Sequence, residues 1–225
     1  MQRGLLALAA IFALLAAAPK LSDKPVGAAE TAFVQSVQKD LNARFATPAD
    51  AEKAGYFRYN NEDKTGAISY VNLQSWNSTD PQHPSQLWYS AAGKLLGADY
   101  SIPIANNSTC KGQTAPNQWG VNPQRWFCVR GPHVHYILKN SDGTYSYGHA
   151  VRASKFKAAG GDLANPQAAT LVKMGAVKSA DQVAQVFTFP GQWNLELWVT
   201  PNPKGAFAEA NPLVHPTKNA GSGEM

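Results

Sequence analysis

Between Glu30 and Phe45 the apolar residues Phe33, Val37, Leu41 and Phe45 recur at every fourth position, with Val34 beside them. That spacing lays one apolar stripe along a helix and leaves a polar back, so an amphipathic helix that packs on other structure is predicted there. Thr47-Pro48 then supplies an N-cap and first residue for a short second helix, which Gly55 stops. From Tyr56 the pattern changes to short runs of β type: Tyr56 to Tyr59, Ala67 to Leu73, Gln86 to Tyr89 and Lys94 to Ser101. Turn formers such as Asn60-Asn61, Asp80-Pro81 and Ala92-Gly93 separate them, which predicts an antiparallel meander.

Ile104 to Gln124 is rich in Asn, Gly, Pro and Gln and reads as a long surface connection. Trp126 to Arg130 and His133 to Lys139 follow as strands, broken by Gly131-Pro132. A helical interlude comes next, with Asn165-Pro166 opening one helix that Gly175 ends, and Ser179 opening another over Ala180 to Phe187. Trp193 to Thr200 sets Trp193, Leu195, Leu197 and Val199 against Asn194, Glu196, Trp198 and Thr200, a strand with one strongly apolar face. The expected fold class is therefore α+β: an antiparallel β-meander sheet with an N-terminal amphipathic helix and two short helices in the C-terminal third.

Met1-Gln2-Arg3 and the apolar run Gly4 to Ala18 have the basic start and hydrophobic core of a secretory signal, too short to span a bilayer comfortably. Cleavage is expected either after Ala16 to Ala18 or after Gly27-Ala28-Ala29, and an uncleaved anchor is the rival reading. The expected organisation is a signal peptide at 1–29, a single α+β domain at 30–215 and a disordered tail at 216–225. Periplasmic or secreted localisation follows, with no membrane span after cleavage.

Cys110 and Cys128 are the only cysteines, and in an oxidising compartment such a pair is read as a disulfide. The formal charge of +5 and pI of about 9.2 are mild, and the basic residues are scattered. Nucleic acid is not indicated as a partner; a small molecule or an anionic cell-envelope polymer is compatible.

Candidate chemistry gathers around the hairpin Gly131 to His149. His133 and His135 share a face of their strand because side chains alternate. If Asn140-Ser141-Asp142-Gly143 forms a type I turn with Gly143 as a G1 bulge, Asn140 pairs with Thr144 and His149 falls opposite His135. A two-residue Asp-Gly loop would instead send His149 to the other face. In the first register His133, His135 and His149 offer three imidazoles to one zinc or copper ion; the plainer alternative is a solvated face decorated with aromatics. Glu196 is a fourth ligand or supporting group only if its strand lies alongside.

Gly131-Pro132-His133-Val134-His135-Tyr136 resembles the closing Gly-Pro-His-x-His-aromatic motif of lysostaphin-type zinc endopeptidases, which cut peptide cross-links in cell walls. The resemblance implies a catalytic role for His133 and a zinc-binding role for His135. It covers six residues. No histidine here is followed four positions later by aspartate, as the family's zinc shell requires, and the chain continues well beyond a motif that ordinarily ends the domain.

A second class of function rests on aromatic residues. Trp76 and Trp119 lie in polar, loop-like stretches, and Tyr145 and Tyr147 share the histidine hairpin, so these four are the candidate ligand-stacking residues. The sequence thus supports an exported binding domain with a candidate three-histidine metal site. Its alternatives are a zinc-dependent hydrolase of envelope peptide or glycan and an aromatic-groove carbohydrate or small-ligand binder. No Gly-x-Ser-x-Gly elbow, phosphate-cradling loop or His-Glu-x-x-His pair is present.

Overall fold

The computed structural model describes residues 21–104, 110, 113–129 and 131–221, so the expected signal core at 4–18 and the last four residues lie outside the described residues. Helix α1 (Gly27–Arg44) begins before the expected Glu30 and buries the stripe Phe33, Val34, Val37 and Leu41, with Phe45 completing it. Helix α2 (Pro48–Lys53) is closed at its start by a capping box. The Asp50 backbone N–H donates to the Thr47 hydroxyl, and the Thr47 N–H donates to the Asp50 carboxylate.

The strands in chain order are β1 (Phe57–Arg58), β2 (Ile68–Val71), β3 (Gln86–Tyr89), β4 (Leu95–Pro103), β5 (Phe127–Val129), β6 (His133–Lys139), β7 (Tyr145–Arg152), β8 (Val183–Phe189) and β9 (Gln192–Trp198). All pairings are antiparallel. They build a six-stranded sheet of order β1-β2-β3-β4-β9-β5 and a three-stranded sheet of order β7-β6-β8. With the short helices α3 (Ala153–Ala158) and α4 (Ala168–Lys173), the expected α+β class holds.

Two details differ from the sequence reading. The meander breaks after β4, because the distant strand β9 inserts between β4 and β5. Residues Ala180 to Phe187, expected to be helical, form only a 3₁₀ turn at Ala180–Gln182 before β8 begins. Val183, Val186, Phe187, Thr188 and Phe189 favour a pleated surface with neighbours to pack on, and β6 provides them.

Helix α1 lies on one face of the large sheet, against Leu87, Tyr89, Leu95, Ala98, Tyr100, Leu195 and Leu197. The small sheet is covered on both sides. Val134 and Tyr136 pack with Phe156 and Leu171 of α3 and α4, while Ile137, Phe187 and Phe189 pack against Tyr59 and Val71 of the large sheet's edge. Among the described residues no helix is long and apolar enough to cross a membrane.

The N-terminus of α1 is held by a buried ion pair. Glu30 is 1% exposed, and its carboxylate accepts from Arg125 Nε and Nη2 and from the backbone N–H groups of Val26 and Asn122. Arg125 also donates to the carbonyls of Ser22 and Lys24, and its guanidinium lies 4.2 Å over the Phe207 ring. Burial pushes the Glu30 carboxyl up, but Arg125 and the two backbone donors outweigh it and hold the group below its ordinary value.

The disulfide Cys110–Cys128 is formed as expected. The long connection it pins does more than cross the surface. Trp119 stacks on Phe33 of α1 at 5.4 Å with rings 3° apart, and Val121 is buried in the same core. Within the stretch expected as a disordered tail, the described residues up to Gly221 make contacts with the domain. The Thr217 and Gly221 backbone N–H groups donate to the Glu62 carboxylate and carbonyl, both at 2.8 Å.

Leu41→Ala, at a fully buried position, is expected to cost about 2 to 5 kcal/mol by denaturant unfolding. Gln38 reaches the Trp198 carbonyl at 3.1 Å, so Gln38→Ala should cost about 1 kcal/mol. Exposed Ser36→Ala should change stability by less than about 0.5 kcal/mol. Equal losses at all three positions would contradict the packing of α1 on the sheet.

Candidate functional site

The turn of the histidine hairpin has the three-residue form. Asn140 N–H donates to Thr144 O, and Gly143, at φ 85°, closes the loop onto Asn140 O. His149 nevertheless does not face His135. Between Tyr136 and Leu138 the ladder shifts, and the extra residue on β7 is taken up near Gly148, which sits at φ 78° and donates its N–H to Tyr59 O. This second bulge moves His149 opposite Tyr136, where the rings stack at 5.2 Å, and leaves Ala150 opposite His135.

The three histidines are thus divided between two faces. His133 and His135 remain neighbours at 4.6 Å between ring centroids, stacked on Phe189 and Phe187 respectively. His149 instead contacts the Ser146 hydroxyl at 2.9 Å. Among the described residues no three of His, Cys, Asp and Glu converge to hold a metal ion. The face of His135 is interior rather than solvated: it is 1% exposed, and burial, then His133, push its pKa down to about 3. It serves there as a neutral member of an aromatic core.

The aromatic candidates also separate. Trp119 is a structural staple whose indole donates to Thr79 O at 2.9 Å. Trp76 is half-buried against Phe187 and Phe189. Tyr145 and Tyr147 line a shallow hollow of about 280 Å³ with Phe57 and Ile137, where Arg58 sits 4.3 Å over the Tyr147 ring.

The residues that converge on a cleft lie on the other face of the large sheet. Side chains alternate, so the strands that send apolar residues to α1 send polar ones away from it. Gln86 and Trp88 from β3, Asp99 from β4, and Gln192, Asn194, Glu196 and Trp198 from β9 form the floor of that cleft, with Ser101 on the same face of β4. Tyr59, Asp63, Ser69, Phe127, Phe189 and Glu209 wall a cleft of about 270 Å³ over this floor.

A polar sheet face is ordinarily a wet one, but here Gln86, Asp99, Ser101, Gln192 and Asn194 are all buried. Most of this layer is satisfied internally. Tyr59 donates to Gln86 Oε1 at 2.6 Å, Ser101 Oγ to Asn194 Oδ1 at 2.8 Å, and the Trp88 indole to Asp99 Oδ2 at 3.1 Å. Two acceptors are not: Asp99 Oδ1 and Gln192 Oε1 make no protein hydrogen bond. Buried groups of this kind normally find partners, and leaving one unmet costs about 1 to 3 kcal/mol.

Asp99 is paired directly across the ladder with Glu196. Opposed residues carry their Cβ atoms about 4.5 to 5.5 Å apart, so two carboxyl groups share one spot in the cleft. Burial, then the charge of Glu196, push Asp99 well above its ordinary value, against the opposing effect of Trp88 and Asn194. Glu196 reaches towards the cleft mouth, yet desolvation by the walls and the charges of Asp63 and Glu209 push it up to about 7. Both carboxyl groups are therefore held above their ordinary values.

Gly97 makes room for the tryptophans beside this pair. Across from it stand Trp88 on one side and Trp198 on the other, packed edge to face at 5.7 Å. A Cβ at Gly97 would meet the Trp88 ring at 2.4 Å. Only glycine allows the indole to lie over the strand.

Glu196 was weighed from sequence as a possible supporting group, but Asp99 and Gln192 were not singled out. The available signal was the repeated polar parity of Gln86-x-Trp88, Gly97-x-Asp99-x-Ser101 and Gln192-x-Asn194-x-Glu196. Compared with family models, curated proteins and solved structures, the chain matches none, so the chemistry of the cleft rests on these residues themselves.

Two pH dependences follow. Asp99 binds its proton more tightly in the folded chain, so its contribution to stability falls as pH rises from the unfolded value near 4. The melting temperature of the wild type relative to Asp99→Asn should therefore drop between pH 5 and pH 8; a constant difference would contradict the coupled pair. His135, with its folded value near 3, should show no ring protonation by NMR between pH 8 and pH 5. A midpoint near 6.5 would place it in water instead.

Proposed function

We propose that the protein is an exported small-ligand-binding protein whose site is the polar cleft on the large sheet. The observation that carries this reading is the pair of unmet buried oxygens, Asp99 Oδ1 and Gln192 Oε1, on residues that line a cleft whose other floor groups are largely satisfied. A floor built only for stability would pair or omit such groups, whereas a binding site keeps them for the ligand. The cleft is concave and supplies a few polar groups beside the two indoles of its floor, a common composition for small-molecule recognition. Export to the periplasm or beyond is supported by the N-terminal signal pattern and by the disulfide.

A volume-conserving change tests the assignment. Gln192→Met removes the unmet acceptor, so the ligand-free variant should melt higher than the wild type by a few degrees. Titration of the wild type with small polyols and amines should move the indole N–H signals of Trp88 and Trp198, while Trp119 stays put. A lower melting temperature for Gln192→Met, together with no indole shifts for any probe, would remove the cleft as a binding site.

A further inference from the structure

The chemistry of the cleft goes further than hydrogen bonding. Four of the described lining residues are carboxylic acids, Asp63, Asp99, Glu196 and Glu209, and none is Lys, Arg or His. This stands against a chain whose formal net charge is +5. The acids come from separate parts of the fold: the loop before β2, strand β4, strand β9 and the segment after β9. Acceptors therefore dominate around Asp99, whose Oδ1 is unmet while its Oδ2 already receives the Trp88 indole.

Gln192 is the second, independent marker. It is 1% exposed, its Oε1 is unmet, and it lies on the same face of β9 as Glu196, four residues away. At strand rise that separation is roughly 13 Å. Asn194 lies between them on the same face. The cleft is thus graded, acidic at the Asp99–Glu196 end and neutral at the Gln192 end.

We infer that the ligand of this cleft is an elongated organic cation, with a primary ammonium set between Asp99 and Glu196 and a neutral hydrogen-bond donor reaching towards Gln192. This rests on the binding-site reading above and names its ligand class. An ammonium brings three donors and no acceptor, which suits a site of carboxyl groups. The indoles of Trp88 and Trp198 line the same cleft, so the cation would sit beside aromatic rather than basic side chains. A metal ion is a poorer match, since no three His, Cys, Asp or Glu side chains converge among the described residues. The shared chemistry, a primary amine on a donor-bearing chain, belongs both to polyamines and to amino derivatives of sugars.

Binding such a cation favours the ionised form of both carboxyl groups, so protons leave as it enters. The titratable groups facing the pair are Asp63, Glu209 and the Tyr59 phenol. Affinity should rise with pH through the range in which Glu196 ionises.

Calorimetry with glucamine (1-amino-1-deoxysorbitol), its uncharged counterpart sorbitol, and spermidine tests the inference on the full exported chain. Glucamine should bind at least tenfold tighter than sorbitol at pH 8, and that advantage should shrink about tenfold at pH 5.5. The heat should vary with the ionisation enthalpy of the buffer, reporting proton release. Glu196→Gln should weaken glucamine at least tenfold at pH 8 and reduce the pH dependence, while Asp63→Asn should weaken glucamine about two- to threefold. Spermidine binding as tightly as glucamine would assign the site to polyamines; glucamine binding tighter would assign it to amino sugars and their alditols. Equal affinity for sorbitol and glucamine overturns the cation while leaving the cleft as a binding site. Calcium binding that displaces glucamine also overturns it. If none of the three probes binds, the cation is again overturned, and the melting temperature of Gln192→Met decides separately whether the cleft reading survives.

Discussion

The antiparallel register of β4 with β9 joins segments from the middle and the end of the chain, and the rest of the molecule is arranged around that join. Because each strand alternates, one register choice assigns Ala98, Tyr100, Leu195 and Leu197 to the helix side and Asp99, Ser101, Asn194 and Glu196 to the other. A slip by one residue would exchange the two sets, driving carboxyl groups into the apolar core under α1. The helix stripe, the packing of Trp119 and the depth of the cleft all presuppose the same register. No local force favours the juxtaposition of Asp99 and Glu196, since two opposed carboxyl groups destabilise a ladder. Its persistence has to be supported by burial elsewhere.

The helix that covers the opposite face of the sheet is anchored at its start by the buried ion pair. Taking Glu30 and Arg125 out of water costs several kcal/mol per ion, and attraction compensates only when the geometry is good and the remaining atoms are satisfied. Here both carboxylate oxygens have two donors each, and the guanidinium is shared among the carboxylate and two carbonyls. The pair ties three stretches that are distant in sequence: the residues preceding α1, the helix itself and the segment leading into β5. It fixes where the helix crosses the sheet more than it adds net stability.

Local pattern carried much of the fold. The fourfold spacing of α1, the Thr47-Pro48 cap and the alternation of β9 were each legible because a single element's own residues encode them. What escaped was set by partners. Ala180 to Phe187 has a cap and a plausible helical start, yet β6 offers an open edge and wins the segment as a strand. The turn at Asn140 to Thr144 was readable, but the bulge at Gly148 depends on Tyr59, distant in sequence and just past β1, so the position of His149 was not. Likewise, polar alternation on β4 and β9 resembles a solvated face until both neighbours of each strand are known. The candidate site was legible in its residue types and not in its depth.

The edge strand β5 shows what the single disulfide protects. Among the described residues it pairs with β9 over Phe127, Cys128 and Val129, which cover the outer rim of β9 along Gln192 to Asn194. Cys128 is the middle one of the three, so the bond to Cys110 clamps the cover at its centre. Uncovered, that rim would present unpaired backbone donors and acceptors to any other extended chain. The bond thus holds the shortest pairing on this side of the sheet to the connection that precedes it, so the border of the sheet is fixed by a covalent link rather than by the length of its ladder.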